Sequence, residues 1–216
     1  MIPSANLAHI KKFLEIPYDQ LEALNLEAKA RCLAHTPEET LKTYYMDYLQ
    51  SEDNLKAVIL CFTDIEGRFH MLDYDKKFLL KNHDNLTFDG SSVRGFTQVD
   101  CSDLRLEPDW SSFRWLPCDV FGPGKVIIFA SVKDQDNAPY ISDMRLQLKR
   151  YAQKIRSHSD LISHFAVECE GFLLDGLNAE QTYQSQPGFT LVSSGGYFNA
   201  LPKDKLKLFI DQFAEA

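Results

Sequence analysis

An α+β fold is predicted by three textures that follow one another along the chain. Up to about residue 50, apolar residues recur at helical spacing. From about 54 to 138, short apolar strands alternate with turns marked by glycine and proline. From 139 onward the pattern is helix, strand, polar segment, helix. At 216 residues, 44% hydrophobic and 25% charged, the chain has core material for one large domain or two small ones.

In the first stretch Leu21, Leu24, Ala28 and Cys32 lie on one helical face. Thr36-Pro37-Glu38-Glu39 then offers an N-cap, a proline at the first helical position and a capping-box glutamate. Leu41, Tyr44, Tyr45 and Tyr48 form the apolar stripe of that second helix, read as a packing surface. Ala57–Thr63 is a continuous apolar run; Asp64-Ile65-Glu66-Gly67 turns the chain into a second strand, Arg68–Tyr74. Strands at Asp119–Phe121 and Val126–Val132 are expected on either side of Gly122-Pro123-Gly124. Residues 54–138 are expected to fold alone as a compact unit.

After the polar loop at 134–137, Ser142 is placed to cap a helix whose apolar face is Met144, Leu148, Tyr151 and Ile155. A strand from His164 to Leu174 follows, then a polar, glycine-containing segment to Tyr197. The last helix starts near Lys203, with Leu206, Phe209, Ile210 and Phe213 on one face, and reaches Ala216 without a C-cap. It reads as an interrupted helix.

Charge and cysteine content narrow the partners and the compartment. Thirty-one acidic residues against 23 basic ones argue against nucleic acid or an anionic membrane surface. The five cysteines (32, 61, 101, 118, 169) form no CxxC pair, which suits reduced thiols and a cytoplasmic protein. Cys61 and Cys169 read as core residues. No membrane span is expected, since the longest unbroken apolar run is Ala57–Phe62; the N-terminus lacks the apolar run of a signal peptide.

Glu168 and Glu170 stand two residues apart in the strand His164–Leu174, so their side chains would project side by side. Close, half-buried carboxylates repel and lose solvation, and a hard divalent cation relieves both costs. The same spacing also fits an edge strand whose polar face meets water, and the residues alone leave both readings open. His158 and His164 read as ordinary surface or core histidines.

Five segments in order resemble the glutamine synthetase family of glutamate–ammonia ligases. Phe88-Asp89-Gly90-Ser91-Ser92-Val93-Arg94-Gly95-Phe96 is similar to its FDGSS loop, and Cys101-Ser102-Asp103 through Leu106, Pro108 and Asp109 to the ESD…PD segment. Ala138-Pro139-Tyr140 with Asp143-Met144-Arg145 resembles PY…DPR. Val167 to Asp175 is similar to the GxExEFFLFD strand, and Gly195-Gly196-Tyr197-Phe198 with Pro202 and Asp204 to GGYF…P.D. The match runs over roughly 54–216. Gly171, Ala166-Val167, Ser142 and Met144 depart from the family pattern without touching these candidate residues.

The resemblance implies N-terminal helices at 1–53, a small β-grasp domain at 54–138, and at 139–216 the opening strand and helices of the catalytic domain. It implies a two-step reaction: ATP phosphorylates the γ-carboxylate of glutamate, and ammonia then displaces phosphate. The expected cofactor is Mg²⁺ or Mn²⁺, with ATP a substrate. Glu168 and Glu170 would be metal ligands, and Asp89 the residue that binds ammonium and takes its proton. Ser92 and Tyr197 would help form the ammonium pocket. The ATP-binding residues stay unassigned, and Arg145, Arg150 and Arg156 fall on a helix. A homo-oligomeric ring is expected of the full-length protein, and this chain is expected to be truncated and inactive alone. A non-catalytic paralogue or regulatory fragment binding a larger ring, and a ligase using an amine other than ammonia, are the alternatives. Retention of Asp89, Glu168 and Glu170 weighs against the first.

Overall fold

The computed structural model describes residues 12–216 apart from 160, 169, 184–187, 193–199, 205 and 216. They fall into two compact units, up to residue 162 and from 163 onward.

The first unit begins with α1 (Tyr18–Leu33) and α2 (Glu38–Ser51). Thr36 does not cap α2. Its backbone N–H and its hydroxyl both donate to Arg31 O, and His35 N–H donates to Cys32 O. His35 takes the left-handed φ of 54° that this closure of α1 requires. The connection is short, so Thr36 is spent on the end of α1, and α2 starts from Pro37 with no side-chain cap. The buried stripe of α2 is Leu41, Tyr45 and Leu49 rather than one that includes Tyr44. Tyr44 is exposed, with the Arg31 guanidinium 4.1 Å above its ring.

Six strands form one mixed sheet: β1 (Ala57–Thr63), β2 (Phe69–Asp75), β3 (Leu86–Asp89), β4 (Asp103–Pro108), β5 (Arg114–Trp115) and β6 (Lys125–Lys133). The order is β2-β1-β6-β4-β3, with β5 also on β6; only β1 and β6 run parallel. The central β1 is buried on both faces from Ala57 to Phe62, which explains its unbroken apolar run. The predicted turn at 64–67 forms as read. Buried Asp64 accepts the N–H groups of Glu66 and Arg68 on one oxygen and meets His70 Nε2 at 2.9 Å on the other. Asp103–Pro108 alternates inward and outward, with Leu104 and Leu106 inside.

Two short helices lie among the strands, α3 (Lys76–Asn82), capped by Asp75, and α4 (Cys118–Phe121). α4 replaces the strand expected at Asp119–Phe121. A helical turn sits between Pro117 and Gly122, which ends it at φ 82°, and Tyr18 Oη holds Asp119 at 3.0 Å. One hydrophobic cluster joins the helices to the sheet: Leu21, Leu41, Tyr45 and Leu49 pack with Val58, Leu60, Phe113 and Val126. Tyr45 stacks on Phe113 at 4.2 Å, and Asn25 bonds both backbone groups of Trp115 at 3.0 Å. The core is therefore shared with the first fifty residues, not confined to the sheet.

α5 (Met144–Ser159) closes this unit. Asp143, not Ser142, caps it: one oxygen accepts Leu146 N–H at 2.9 Å, the other Val132 N–H at 2.7 Å. The cap also fastens the helix to β6, which a serine's single hydroxyl oxygen could not do as well. Met144, Leu148 and Tyr151 of the expected inward face are exposed, and Ile155 is half-buried.

In the second unit the strand expected over His164–Leu174 does not form. The described residues there carry a single bridge, Leu174 to Leu191, flanked by Asp175 N–H to Thr190 O and Val192 N–H to Leu173 O. A strand needs a neighbour for its backbone groups, and among the described residues nothing pairs with 164–172. Phe165, Val167 and Phe172 are more than four-fifths exposed as a result. The unit also contains α6 (Ala179–Thr182) and α7 (Leu206–Glu215). No described helix is long and apolar enough to cross a membrane.

Candidate functional site

Asp89 ends β3, paired with Asp103 across the ladder, and its side chain stands exposed at the surface. A 3₁₀ turn, Gly90–Ser92, follows at once. Ser91 donates its N–H at 2.9 Å and its hydroxyl at 2.5 Å to one carboxylate oxygen; the Ser92 hydroxyl donates to the other at 2.6 Å. These hydroxyls, Ser91 first and Ser92 next, hold the Asp89 carboxyl below the ordinary carboxylate range, against a smaller opposing effect of desolvation. The group is therefore an anion at neutral pH. The oxygen that takes both Ser91 bonds is filled, and the one that accepts the Ser92 hydroxyl has a further lone-pair direction for a cation or donor.

The loop behind Asp89 is shaped by close packing. Gly90 N–H donates to Ser102 O at 2.7 Å, and a Cβ on Gly90 would lie 2.5 Å from Leu104 Cδ1. Only glycine fits. Val93 and Phe96 are buried, and Tyr140 Oη donates to Phe96 O. Arg94 Nη1 pairs with Glu66 Oε1 at 3.2 Å, joining the loop to the 64–67 turn.

The structure thus brings Asp89 and Ser92 into direct hydrogen-bond contact. Glu168 and Glu170 belong to the other unit, both exposed, on the segment without a ladder partner. The face-sharing that a strand would impose on them is absent. Tyr197 lies outside the described residues, as does Cys169. Among the described residues no group of three or more His, Cys, Asp or Glu is placed to hold a metal ion. Two exposed carboxylates do not make a metal centre by themselves.

A second charged centre was not anticipated as one. Asp109, 3% exposed, accepts the Ser111 hydroxyl at 2.6 Å on one oxygen. Its other oxygen takes Arg145 Nη2 at 2.6 Å and Lys149 Nζ at 3.1 Å. Lys149 reaches Glu38 as well, at 3.6 Å. Burial pushes the Asp109 carboxyl up, but the Ser111 hydroxyl and the two cations outweigh it, leaving a pKa of about 2. Asp109 and Arg145 both occur in the motif segments of the sequence; their pairing across 36 positions is a tertiary fact that spacing does not show.

Comparisons with known proteins agree with the motifs. Residues 54–135 match the family model described as glutamine synthetase, beta-Grasp domain. The glutamine synthetase of Thermotoga maritima is 31% identical over 157 residues, 72% of this chain and 34% of that protein. A Staphylococcus aureus glutamine synthetase is 31% identical over 173 residues, 78% of this chain and 37% of that protein. The cryo-EM structure of Plasmodium falciparum glutamine synthetase has a like fold, with a TM-score of 0.57 at 17% identity, over 79% of this chain and 38% of that one. The chain therefore spans little more than a third of the length of these relatives.

Proposed function

The chain belongs to the glutamine synthetase family, and we propose that it is the N-terminal portion of a cytoplasmic, ATP-dependent ligase that condenses glutamate with ammonia through γ-glutamyl phosphate. The observation that carries the proposal is Asp89: an exposed carboxylate kept ionised by Ser91 and Ser92, at the end of a strand in the matched β-grasp domain. A fixed negative charge attracts NH₄⁺. As the nitrogen lone pair forms and attacks the acyl phosphate carbon, displacing phosphate, the carboxylate is proposed to receive the departing proton. Tyr197, with Ser92, is proposed to line the same pocket.

Because the chain is about a third of its relatives, the site is proposed to be completed by residues outside it, in a homo-oligomeric ring that also binds ATP and glutamate. Glu168 and Glu170 are proposed as this chain's share of a Mg²⁺ or Mn²⁺ site. Such an ion neutralises phosphate charge during transfer. With only two exposed ligands here, no step is assigned to it.

The test is a chimera joining this chain to the C-terminal remainder of the T. maritima enzyme. The ligase reading expects glutamine formation that depends on glutamate, ATP and ammonia. A folded, ring-assembled chimera without turnover would instead favour the non-catalytic alternative.

A further inference from the structure

A polar cleft that the ligase reading leaves unused opens in the first unit, with a volume of about 570 Å³. It lies where β4 runs past the start of β3: the pairing begins at Leu86 opposite Leu106, so Glu107 and Pro108 have no β3 neighbour. α2, the His83–Asp84 turn and α5 supply its walls. The size suits a small organic ligand.

The lining carries both signs of charge, and much of that charge cancels internally. Lys133 meets Glu107 at 2.5 Å, and Lys149 meets Asp109 and Glu38. Four charged groups are left over. Among the described residues Lys42, Glu39 and Asp84 make no ion pair. Arg105 spends Nε on Asn85 and Nη1 on the carbonyls of Asp134 and Gln135, leaving Nη2 uncommitted. Ser131 lines the cleft as well, and among the described residues its hydroxyl makes no hydrogen bond, so it is free to bond a ligand.

The sign pattern selects the class of ligand. A nucleotide or other polyanion would meet five carboxylates, and a lone metal ion would meet four cationic side chains. What remains after internal pairing is two cations and two anions. We propose that this cleft binds a zwitterionic small molecule of the α-amino-acid class. Its carboxylate faces Arg105 and Lys42, where a guanidinium edge favours it. Its ammonium faces Glu39 and Asp84, and Leu106, Pro108 and Leu146 border its side chain. This inference stands apart from the ligase reading, since it uses neither Asp89 nor the glutamate pair.

The test is calorimetric titration of the purified 216-residue chain with L-methionine and L-asparagine. Two analogues of methionine, 4-(methylthio)butyrate and 3-(methylthio)propylamine, each keep one charge and lose the other. The expected result is saturable millimolar or tighter binding of an amino acid, weakened at least tenfold for both analogues. Lys42→Met with Asp84→Asn should weaken it at least tenfold with the melting temperature unchanged. Glu39→Gln, on an exposed helical position, serves the same purpose if that pair of changes fails to fold. No binding of either amino acid, equal binding of one analogue, or unchanged binding in a folded variant would each overturn the proposal.

Discussion

Asp109 is almost fully buried, yet its pKa of about 2 keeps it charged. Its partners Arg145 and Lys149 come from α5, so one carboxylate ties the last helix of the first unit to the end of β4. A folded-state pKa depressed below the ordinary value near 4 stabilises the protein above that value. The benefit is lost as pH falls toward 2. It amounts to about 2 kcal/mol at neutral pH. Asp109→Asn is expected to cost about 2–3 kcal/mol at pH 7, since it also leaves Arg145 without its counter-charge and Lys149 with Glu38 alone. Urea titrations at several pH values should show that cost shrinking between pH 4 and pH 2; a constant difference would contradict the ion-pair account. At this scale the sequence was legible where a contact is local. Asp89 and Ser92 are three positions apart, and motif resemblance picked out both. Asp109 appeared only as a landmark, because nothing in spacing tells which helix will meet it. Glu168 and Glu170 show the converse: alternation places side chains only where a strand has a partner.

Helices and strands were legible where periodicity is strong, and less so where a connection or a neighbour decides. The apolar runs of β1 and β6 and the turn at 64–67 follow directly from residue type. Thr36 could have capped α2, but the left-handed closure of α1 at His35 claimed it. Residues 118–121 curl into a helical turn because Pro117 and Gly122 bracket them too tightly for a strand. α5 is helical as its spacing requires, yet it turns Arg145 and Lys149 toward the sheet and leaves Met144, Leu148 and Tyr151 exposed. A buried carboxylate outweighed the apolar stripe in choosing the inward face. The junction of β3 with the Asp89 loop offers a direct check at this scale. Gly90→Ala would set a methyl 2.5 Å from Leu104 Cδ1. Overpacking of this kind is expected to destabilise by about 1–3 kcal/mol. Gly67→Ala, which meets nothing within 4 Å but sits at a left-handed φ of 79° that Gly90 does not have, should cost about 1 kcal/mol. Thermal melts that rank Gly67→Ala as the costlier change would contradict the packing argument.

The first unit coheres around a core that the sheet does not own alone. Leu21, Leu41, Tyr45 and Leu49 of the two leading helices close over Phe113 and Trp115, whose indole donates to Tyr48 Oη at 2.7 Å. A fragment of residues 54–138 would uncover those rings. It is therefore expected to lack a sharp thermal transition and near-ultraviolet dichroism, whereas residues 12–162 should unfold cooperatively. A sharp melt for the shorter piece would show that the sheet is self-sufficient. In the ligase proposed for the whole molecule, Asp89 is the residue proposed to handle ammonium. Asn at position 89 keeps the size of the side chain and an oxygen for the Ser91 bonds, but removes the charge that attracts NH₄⁺ and the base that takes its proton. In the chimeric ligase, glutamine formation from ammonia by Asp89→Asn should fall roughly 10²-fold or more at neutral pH. Hydroxylamine is uncharged there and already has a free lone pair, so the rate with it should be largely retained. Losses of equal size with both nucleophiles would reduce Asp89 to a turn residue and contradict the account.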